Sequence, residues 1–388
     1  PRAPSVVAPT AAPAPVVQGA AADYQAPAYF VLQHFWLMVA QQDFWLGYPS
    51  VMAGTLIIPL SFAFGHRLFD ANAGLAAALI STLTTYQVYY SRYPRAYILL
   101  AFLGLLAAYW LHRALFPQRE AGAPSPPMRR TLPWLAHGLT VVAALYTQPY
   151  AFFIVEAMWG AAGLHALLLR RGNLLPLIAT AVLVGVAYLP WLSVTAGQMS
   201  GVRAGADAWI EPVSRDSLKL LWDWLWFKTR GEYNLPLDLL LRGGRYLLTA
   251  LMVAFAVSGW RRFSLLYLLA LTVGPVVLAF GFSALVVSLW DTRYLVSMSP
   301  FFALWLGAAI AWLPGVLRAV AVRLPAPVAH RLPPLALPAG LLLVVALAPA
   351  PLWSLYRDPA QRSADVRGAV LQAHARYQPG DTILHTSY

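Results

Sequence analysis

Arginine and tyrosine residues are concentrated where one apolar stretch of this chain begins, over residues 89–97. Arg92 and Arg95 flank Pro94, a residue well suited to the first turn of a helix. Cations are unfavourable at a helix N-terminus unless an anion joins them, and phosphate suits both the free N–H groups and the arginine forks. The pattern predicts a phosphate-binding site, although arginine and tyrosine also anchor the ends of membrane-spanning helices without any ligand.

Two further segments hold candidate chemical groups. Arg293 lies in the sequence Asp291-Thr292-Arg293-Tyr294, where Asp291 or Thr292 can cap a helix. Arg293 is therefore either a second phosphate ligand or one partner of a local ion pair. Asp23 is the only carboxylate before Asp43. It can act as a general base for a hydroxyl group, or it is a solvated loop residue.

The composition assigns the chain to a membrane. Hydrophobic residues make up 60% and charged residues 11% of the sequence, and the mean hydropathy is +0.60. A soluble domain averages about 25% charged residues. The chain has no cysteine, which excludes disulfides and thiol catalysis. Its net charge of +12 arises largely from arginine in short loops, so we expect no nucleic-acid partner.

Ten apolar segments are predicted to cross the membrane, because a spanning helix needs about 20 residues. They are 45–66, 72–90, 94–115, 131–147, 150–169, 174–194, 245–259, 263–285, 295–314 and 335–355. Most arginines of the connecting loops fall on one side, which the positive-inside rule predicts to be cytoplasmic. The loop 195–244, the turns holding Arg92 and Arg293, and the tail then lie on the external side.

This topology also predicts the parts that do not cross. Residues 28–42 form an aromatic helix at the external interface, because a further crossing would reverse the arginine rule. We expect an external loop rich in alanine and proline over 1–27, extended over 1–22, and a transmembrane domain over 28–355. The tail, 356–388, is predicted to begin a truncated external α/β domain. An external first loop implies a missing upstream span, so we expect the chain to be a fragment.

Four segments together resemble one family of membrane enzymes. They are Asp23-Tyr24-Gln25-Ala26-Pro27-Ala28-Tyr29-Phe30, Tyr89 through Tyr97, Leu145-Tyr146-Thr147-Gln148-Pro149-Tyr150, and Arg293-Tyr294-Leu295. Their order and content resemble the GT-C glycosyltransferases, specifically a bacterial branch similar to protein mannosyltransferases and aminoarabinose transferases. The chain departs from the family where Gln25 replaces a histidine and Tyr93 replaces a glutamate. The acidic segment that usually precedes the first of these motifs is also absent.

The resemblance implies an all-α polytopic fold and a glycosyltransferase moving a hexosyl or pentosyl group. Its donor is a polyprenyl-phosphate sugar, and its acceptor is a lipid, glycan or protein at the outer face of the cell membrane. By the same resemblance, Arg92, Arg95 and Arg293 bind the donor phosphate and Asp23 is the candidate base. The supporting residues are Tyr90, Ser91, Tyr97 and Tyr294.

Several points stay open in the sequence. No metal-ligand pattern is present, so the cofactor is unknown and a divalent cation is neither indicated nor excluded. Because the usual acid is missing, we expect this fragment to be inactive by itself. The alternatives are a polytopic transporter or lipid flippase, and a noncatalytic scaffold with the same fold. A transporter would have paired broken spans around a polar midplane site, whereas the charges here collect at one face.

Overall fold

A computed structural model describes residues 13–22, 24–39, 43–117, 127–169, 171–203, 210–226, 235–259, 262–321, 326–357 and 375–376. Within these ranges the chain is helical and contains no strand. The α-helices are α1 Pro13–Ala22, α2 Ala28–Val39, α3 Tyr48–Leu68, α4 Ala71–Leu83, α5 Thr85–Ser91, α6 Tyr97–Leu115, α7 Pro127–Thr147, α8 Ala151–Leu168, α9 Leu174–Arg203, α10 Arg215–Leu225, α11 Leu235–Gly259, α12 Phe263–Leu285, α13 Thr292–Leu295, α14 Ser299–Ala321, α15 Ala326–Leu347 and α16 Pro349–Arg357.

Every predicted span coincides with helix. In the described ranges, eight helical segments are long and apolar enough to cross a membrane, with limits at Trp45–Leu68, Tyr97–Leu115, Ala151–Leu168, Arg171–Arg203, Pro236–Gly259, Phe263–Leu285, Thr292–Ala321 and Arg331–Arg357. The predicted span 72–90 is divided into α4 and α5, because Thr84 adopts an extended backbone between them. The predicted fold class, an all-α polytopic membrane protein, is confirmed.

The bundle is held by close contact between small residues. Helices α3, α4 and α14 pack side by side at its centre. A Cβ atom added at Gly307 of α14 would lie 2.6 Å from the backbone nitrogen of Ala77 in α4. Only glycine permits this approach, and small residues of this kind are typical of packed helices in membranes.

A hydrogen-bonded histidine joins three helices in the interior. Trp159 of α8 donates its indole N–H to Nε2 of His137 in α7, at 2.9 Å. Nε2 is therefore the acceptor nitrogen, so Nδ1 carries the proton and donates to the Ala107 carbonyl of α6 at 3.0 Å. The side chain of His137 is completely buried. This histidine has a structural role, as its position within an apolar segment suggests.

The N-terminal region differs in part from the predicted loop. Residues Pro13–Ala22 form helix α1 and are not extended. Proline is tolerated in the first turn, alanine favours helix, and Val16 and Ala20 are buried against Phe30 of α2. The predicted aromatic helix is present as α2, and it is shorter than the helices that can span. Phe35, Met38 and Val39 of this helix are exposed, as expected for contact with lipid.

The long predicted loop is partly helical. Helix α9 continues to Arg203 and α11 begins at Leu235, so both extend into the range 195–244. Between them lies the short amphipathic helix α10, where the tryptophan pattern predicts one. The last spanning segment ends in α16, which packs against α5. The predicted domain over 356–388, including its strand near 382, lies almost wholly outside the described residues.

Candidate functional site

An open cavity of about 520 Å³ lies at one end of the bundle. It is bounded by the end of α5, the start of α6, helix α10 and the segment that leads into α13. We call it the tyrosine cavity, after four tyrosines that line it: Tyr89, Tyr90, Tyr93 and Tyr97. The remaining lining residues are Ile210, Glu211, Ser217, Leu220, Trp224, Trp290, Asp291, Thr292 and Arg293. Two motifs that are 200 residues apart in the chain thus share one cavity.

Aromatic rings form one wall of the tyrosine cavity. The ring centroid of Tyr90 lies 5.0 Å from that of Tyr89 and 5.5 Å from that of Tyr97, both edge to face. Trp224 of α10 stacks on Tyr86 at 5.2 Å and lies 5.6 Å from Tyr89. Such pairs favour fixed ring orientations. The wall is therefore a rigid surface on which phenol groups are presented at set positions.

Arg293 and Asp291 form an ion pair at the edge of the tyrosine cavity. Nε of Arg293 donates to Oδ2 of Asp291 at 2.7 Å, and Nη2 lies 2.6 Å from the same oxygen. Oδ1 of Asp291 accepts the backbone N–H of Arg293 at 2.8 Å and so caps α13. Both side chains are partly exposed. The sequence left a phosphate ligand and a local ion pair as alternatives, and the structure contains the ion pair.

Two tyrosine hydroxyls attach the segment before α13 to the bundle. The hydroxyl of Tyr86 donates to the Thr292 carbonyl, and that of Tyr150 donates to the Leu289 carbonyl at 3.1 Å. The Tyr150 ring also lies 5.0 Å from that of Tyr294. The Tyr294 ring lies 5.7 Å from that of Tyr97. The motif at 145–150 is therefore adjacent to the late Arg-Tyr-Leu motif and to the start of α6.

Ser91 supports the turn that follows α5 and does not line the tyrosine cavity. Its hydroxyl donates to the Gln87 carbonyl at 2.6 Å. A Cβ atom at Gly54 of α3 would lie 2.0 Å from Ser91 Oγ, so glycine is needed for the two helices to approach. The sequence-predicted Ser91 is thus a packing residue of the turn that carries Arg92 and Arg95.

A polar contact joins α2 to the same turn. The hydroxyls of Tyr29 and Ser50 lie 2.8 Å apart, and Ser50 Oγ donates to the Arg95 carbonyl at 3.3 Å. Burial raises the pKa of Tyr29 to about 12, against the opposing effects of the Ser50 hydrogen bond and of nearby Arg95. The phenol therefore stays protonated at physiological pH. The interfacial helix α2 is in this way fixed to the arginine-bearing turn.

The three predicted phosphate-binding arginines have different environments. Arg293 lines the tyrosine cavity, and Arg95 is exposed on the turn beside it. Arg92 is also exposed, and its guanidinium carbon lies 4.7 Å from the ring centroid of Tyr356 in α16. Arg92 and Arg95 do not line the cavity as it stands. All three arginines are nevertheless at the same end of the bundle.

Two carboxylates, the predicted base Asp23 and Glu211, are candidates for the general base. Asp23 lies outside the described residues. Its neighbourhood is attached to α9, where Gln198 Nε2 donates to the Ala21 carbonyl at 3.1 Å. Glu211 is exposed and lines the tyrosine cavity, although the sequence patterns did not single it out. Its position in the tryptophan-rich loop was the available signal, but its proximity to Arg293 depends on the fold.

Trp290, which lines the tyrosine cavity, has an indole N–H group that makes no hydrogen bond to the described residues. The residue is 7% exposed. A buried N–H without an acceptor costs free energy that a bound oxygen can recover. In the same ranges, no group of three or more histidine, aspartate or glutamate side chains is arranged to hold a metal ion.

The helical architecture is that of a polytopic membrane protein, and its fold is similar to that of solved GT-C glycosyltransferases. No protein-family model matches the sequence, and no curated protein matches it either. Solved structures do match. The oligosaccharyltransferase of Archaeoglobus fulgidus, tethered with an acceptor peptide, has a TM-score of 0.59 and 15% sequence identity. That match covers 92% of this chain and 50% of the oligosaccharyltransferase chain.

Two ligand-bound structures share the fold. The Archaeoglobus fulgidus enzyme AglB, in complex with an inhibitory peptide and a dolichol-phosphate, has a TM-score of 0.59, 15% identity, and coverage of 91% of this chain and 50% of its own. ArnT from Cupriavidus metallidurans, bound to undecaprenyl phosphate, has a TM-score of 0.50, 17% identity, and coverage of 86% and 62%. The present chain thus spans about half the length of the archaeal enzyme.

Proposed function

We propose that this protein transfers a sugar from a polyprenyl-phosphate donor to a lipid, glycan or protein acceptor at the external face of the membrane. The observation that carries the proposal is the tyrosine cavity, where Arg293 and Glu211 face one space beside an aromatic wall. Leaving-group stabilisation and acceptor deprotonation need a cation and a carboxylate in one site. The fold, shared with structures that hold dolichol-phosphate and undecaprenyl phosphate, supports the same class of donor.

The donor phosphate is assigned to Arg293, with Arg95 and Arg92 in decreasing order of contribution. Arg293 already lines the tyrosine cavity, and Asp291 orients its guanidinium. Arg95 is exposed on the adjoining turn and can approach a phosphate at the cavity mouth. Arg92 lies against the ring of Tyr356 and must leave that contact to reach a phosphate. The Tyr90 and Tyr97 phenols beside Arg293 are suited to hydrogen-bond phosphate or sugar oxygens.

Glu211 is the carboxylate of the described site best placed to be the general base. Asp291 also lines the tyrosine cavity, but its two oxygens are occupied by the backbone and side chain of Arg293. Both oxygens of Asp291 are thus already hydrogen-bonded to Arg293, whereas Glu211 is exposed at the cavity. Asp23 remains the base that the family resemblance suggests. Replacement of the true base, Asp23 or Glu211, should lower turnover, and replacement of the other should not.

The proposed step balances without a redox partner. The carboxylate takes the proton of the acceptor hydroxyl while the hydroxyl oxygen attacks the anomeric carbon of the sugar. The bond between that carbon and the phosphate oxygen breaks, and its electron pair leaves with polyprenyl phosphate. Arginine side chains stabilise the negative charge that accumulates on the departing phosphate.

Binding of the leaving group tests the proposal without requiring turnover. Undecaprenyl phosphate is titrated into the purified protein in detergent, and the complex is counted by native mass spectrometry. We expect saturable binding that weakens about tenfold or more in Arg293→Ala, since a hydrogen bond to a charged group contributes about 1.5–3 kcal/mol. Arg318→Gln, an exposed arginine at the other end of the bundle, is the matched control.

Turnover is measured separately with radiolabelled hexosyl and pentosyl undecaprenyl phosphates and solubilised membrane acceptors. Equal binding of undecaprenyl phosphate by the wild type and Arg293→Ala would contradict the proposed phosphate site. Equally strong competition by undecaprenol, which lacks the phosphate, would contradict it as well. Binding without transfer from any donor of the panel agrees both with the expectation that this fragment is inactive by itself and with the scaffold alternative, whereas transfer excludes the scaffold.

A further inference from the structure

A second cavity lies at the opposite end of the bundle from the tyrosine cavity. Helix α6 begins at the tyrosine cavity and ends at Leu115, and α12 begins at Phe263 and ends near Trp290. Where α6 ends and α12 begins, a cavity of about 490 Å³ opens. We call it the basal cavity. The arginine distribution of the sequence predicts that this end faces the cytoplasm.

The chemistry of the basal cavity is that of an anion site with apolar walls. Its polar lining comes from His112, Arg262, Ser264 and Asp70. Three phenylalanines, Phe69, Phe116 and Phe263, supply the apolar surface. Arg262 is exposed and immediately precedes α12, a helix of 23 residues. The N-terminal N–H groups of such a helix and an arginine side chain both favour a negatively charged oxygen.

A buried polar atom that lines this cavity lacks a partner among the described residues, and so does one on Arg67, which precedes the lining residue Leu68. His112 lines the cavity and is 5% exposed, and its Nδ1 has no hydrogen-bond partner among the described residues. Arg67 Nη2 donates to the Phe116 carbonyl at 2.5 Å, whereas the buried Nε of Arg67 is left without an acceptor. Unsatisfied buried polar atoms are uncommon in native proteins, and a bound ion or water can satisfy them.

The charge balance around the basal cavity is positive. Asp70 caps α4, and its Oδ1 accepts the Ala73 N–H at 2.8 Å. Its negative charge is therefore partly balanced by the N-terminus of α4. Arg67 and Arg262 outnumber it. Arg113, which lies over the rings of Tyr109 and Trp110, adds a third cation at the same end of α6. An anion entering the cavity therefore meets arginine, a buried imidazole and a helix N-terminus.

We propose that the basal cavity binds a phosphate group, carried by an anionic membrane lipid or free in solution. Phosphate can accept hydrogen bonds from Arg262 and from the Nδ1-protonated tautomer of His112, and the phenylalanines suit the first acyl carbons of a lipid. Basic pockets between membrane helices are a known setting for lipid phosphates. The site is independent of the proposed glycosyl transfer, because it shares no residue with the tyrosine cavity and lies at the other end.

The test uses the intact protein in nanodiscs of phosphatidylcholine, with phosphatidylglycerol added in increasing fraction. Retained lipid is counted by native mass spectrometry, and inorganic phosphate is titrated separately by equilibrium binding of ³²P. We expect saturable phosphate-group binding that weakens about tenfold in Arg262→Gln. Arg262 is exposed, so its replacement leaves the packing intact. Arg318→Gln, at the same end but outside the cavity, is expected to bind as wild type does.

An opposite change gives the proposal a second test. Asp70→Asn keeps a residue that caps helices well and removes the negative charge, so binding is expected to tighten several-fold. Saturation by phosphatidylglycerol alone identifies the lipid as the source, and saturation by inorganic phosphate identifies the free ion. Equal weakening in Arg262→Gln and Arg318→Gln, or no saturable binding of either probe, would overturn the assignment.

Discussion

Asp291 and Arg293 are bound to each other at the edge of the tyrosine cavity, with the Arg293 Nε 2.7 Å from Oδ2 of Asp291. The carboxylate has two effects on any phosphate that binds there. It orients the guanidinium, which favours binding, and it adds a negative charge, which opposes binding. The net effect of the pair on the donor is therefore measurable by replacing each partner separately.

We predict that Arg293→Ala weakens undecaprenyl phosphate binding about tenfold or more, whereas Asp291→Asn does not. Asparagine still caps α13, and removal of the negative charge strengthens the attraction between arginine and phosphate. Titration followed by native mass spectrometry measures both affinities, and thermal unfolding verifies that each variant is folded. Equal losses of affinity in the two folded variants would show that the ion pair is purely structural.

The arginines of the 90–96 turn are predicted to contribute less than Arg293. Arg95→Ala is expected to weaken undecaprenyl phosphate binding about threefold to tenfold, because Arg95 is near the cavity but exposed. Arg92→Ala is expected to change it less than about threefold, since Arg92 packs on Tyr356. A larger loss for Arg92 than for Arg293 would mean that the turn rearranges when the donor binds.

Glu211→Gln is predicted to separate binding from turnover. Removal of a general base lowers turnover about 10²–10⁴-fold. Undecaprenyl phosphate binding should stay within about twofold of wild type. The matched control is Asp216→Asn, an exposed carboxylate on neighbouring α10 that does not line the tyrosine cavity. If Asp23→Asn abolishes transfer and Glu211→Gln does not, the base is Asp23.

A packing prediction concerns Gly54 and Ser91. A Cβ atom in Gly54→Ala would be 2.0 Å from Ser91 Oγ and 2.9 Å from Ser91 Cβ, so we expect a loss of about 1–3 kcal/mol in the free energy of unfolding. The double variant Gly54→Ala with Ser91→Gly should recover part of that loss. Gly185→Ala is the control, because its Cβ would meet nothing within 4 Å. Equal unfolding midpoints for Gly54→Ala and Gly185→Ala would contradict the close contact.

The orientation of the bundle is testable because the chain has no cysteine. Lys219→Cys, on exposed α10, is predicted to react with an impermeant maleimide in intact cells. Gly172→Cys, in the exposed turn between α8 and α9, should react only after permeabilisation. The reverse pattern would place the tyrosine cavity on the cytoplasmic side and exclude the proposed external reaction.

The sequence was sufficient for the fold class and for most helix positions. Long apolar segments allow few alternatives in a membrane. The break at Thr84 and the helix over Pro13–Ala22 were not predicted, because both depend on packing against other helices. In the site, the association of Tyr97 with Arg293 followed from the resemblance between motifs. The position of Glu211 did not, because no local pattern reports contacts between distant loops.

The two tyrosine hydroxyls that hold the segment before α13 both bond to main-chain carbonyls, those of Leu289 and Thr292. Peptide carbonyls are present whatever side chain follows them. Substitutions at 289 and 292 can therefore change the side chains of this segment while it keeps its anchorage, whereas loss of either tyrosine removes one of its two hydrogen bonds. The sequence of this segment can thus vary without a change in its position, and Tyr86 and Tyr150 are the residues that must be kept.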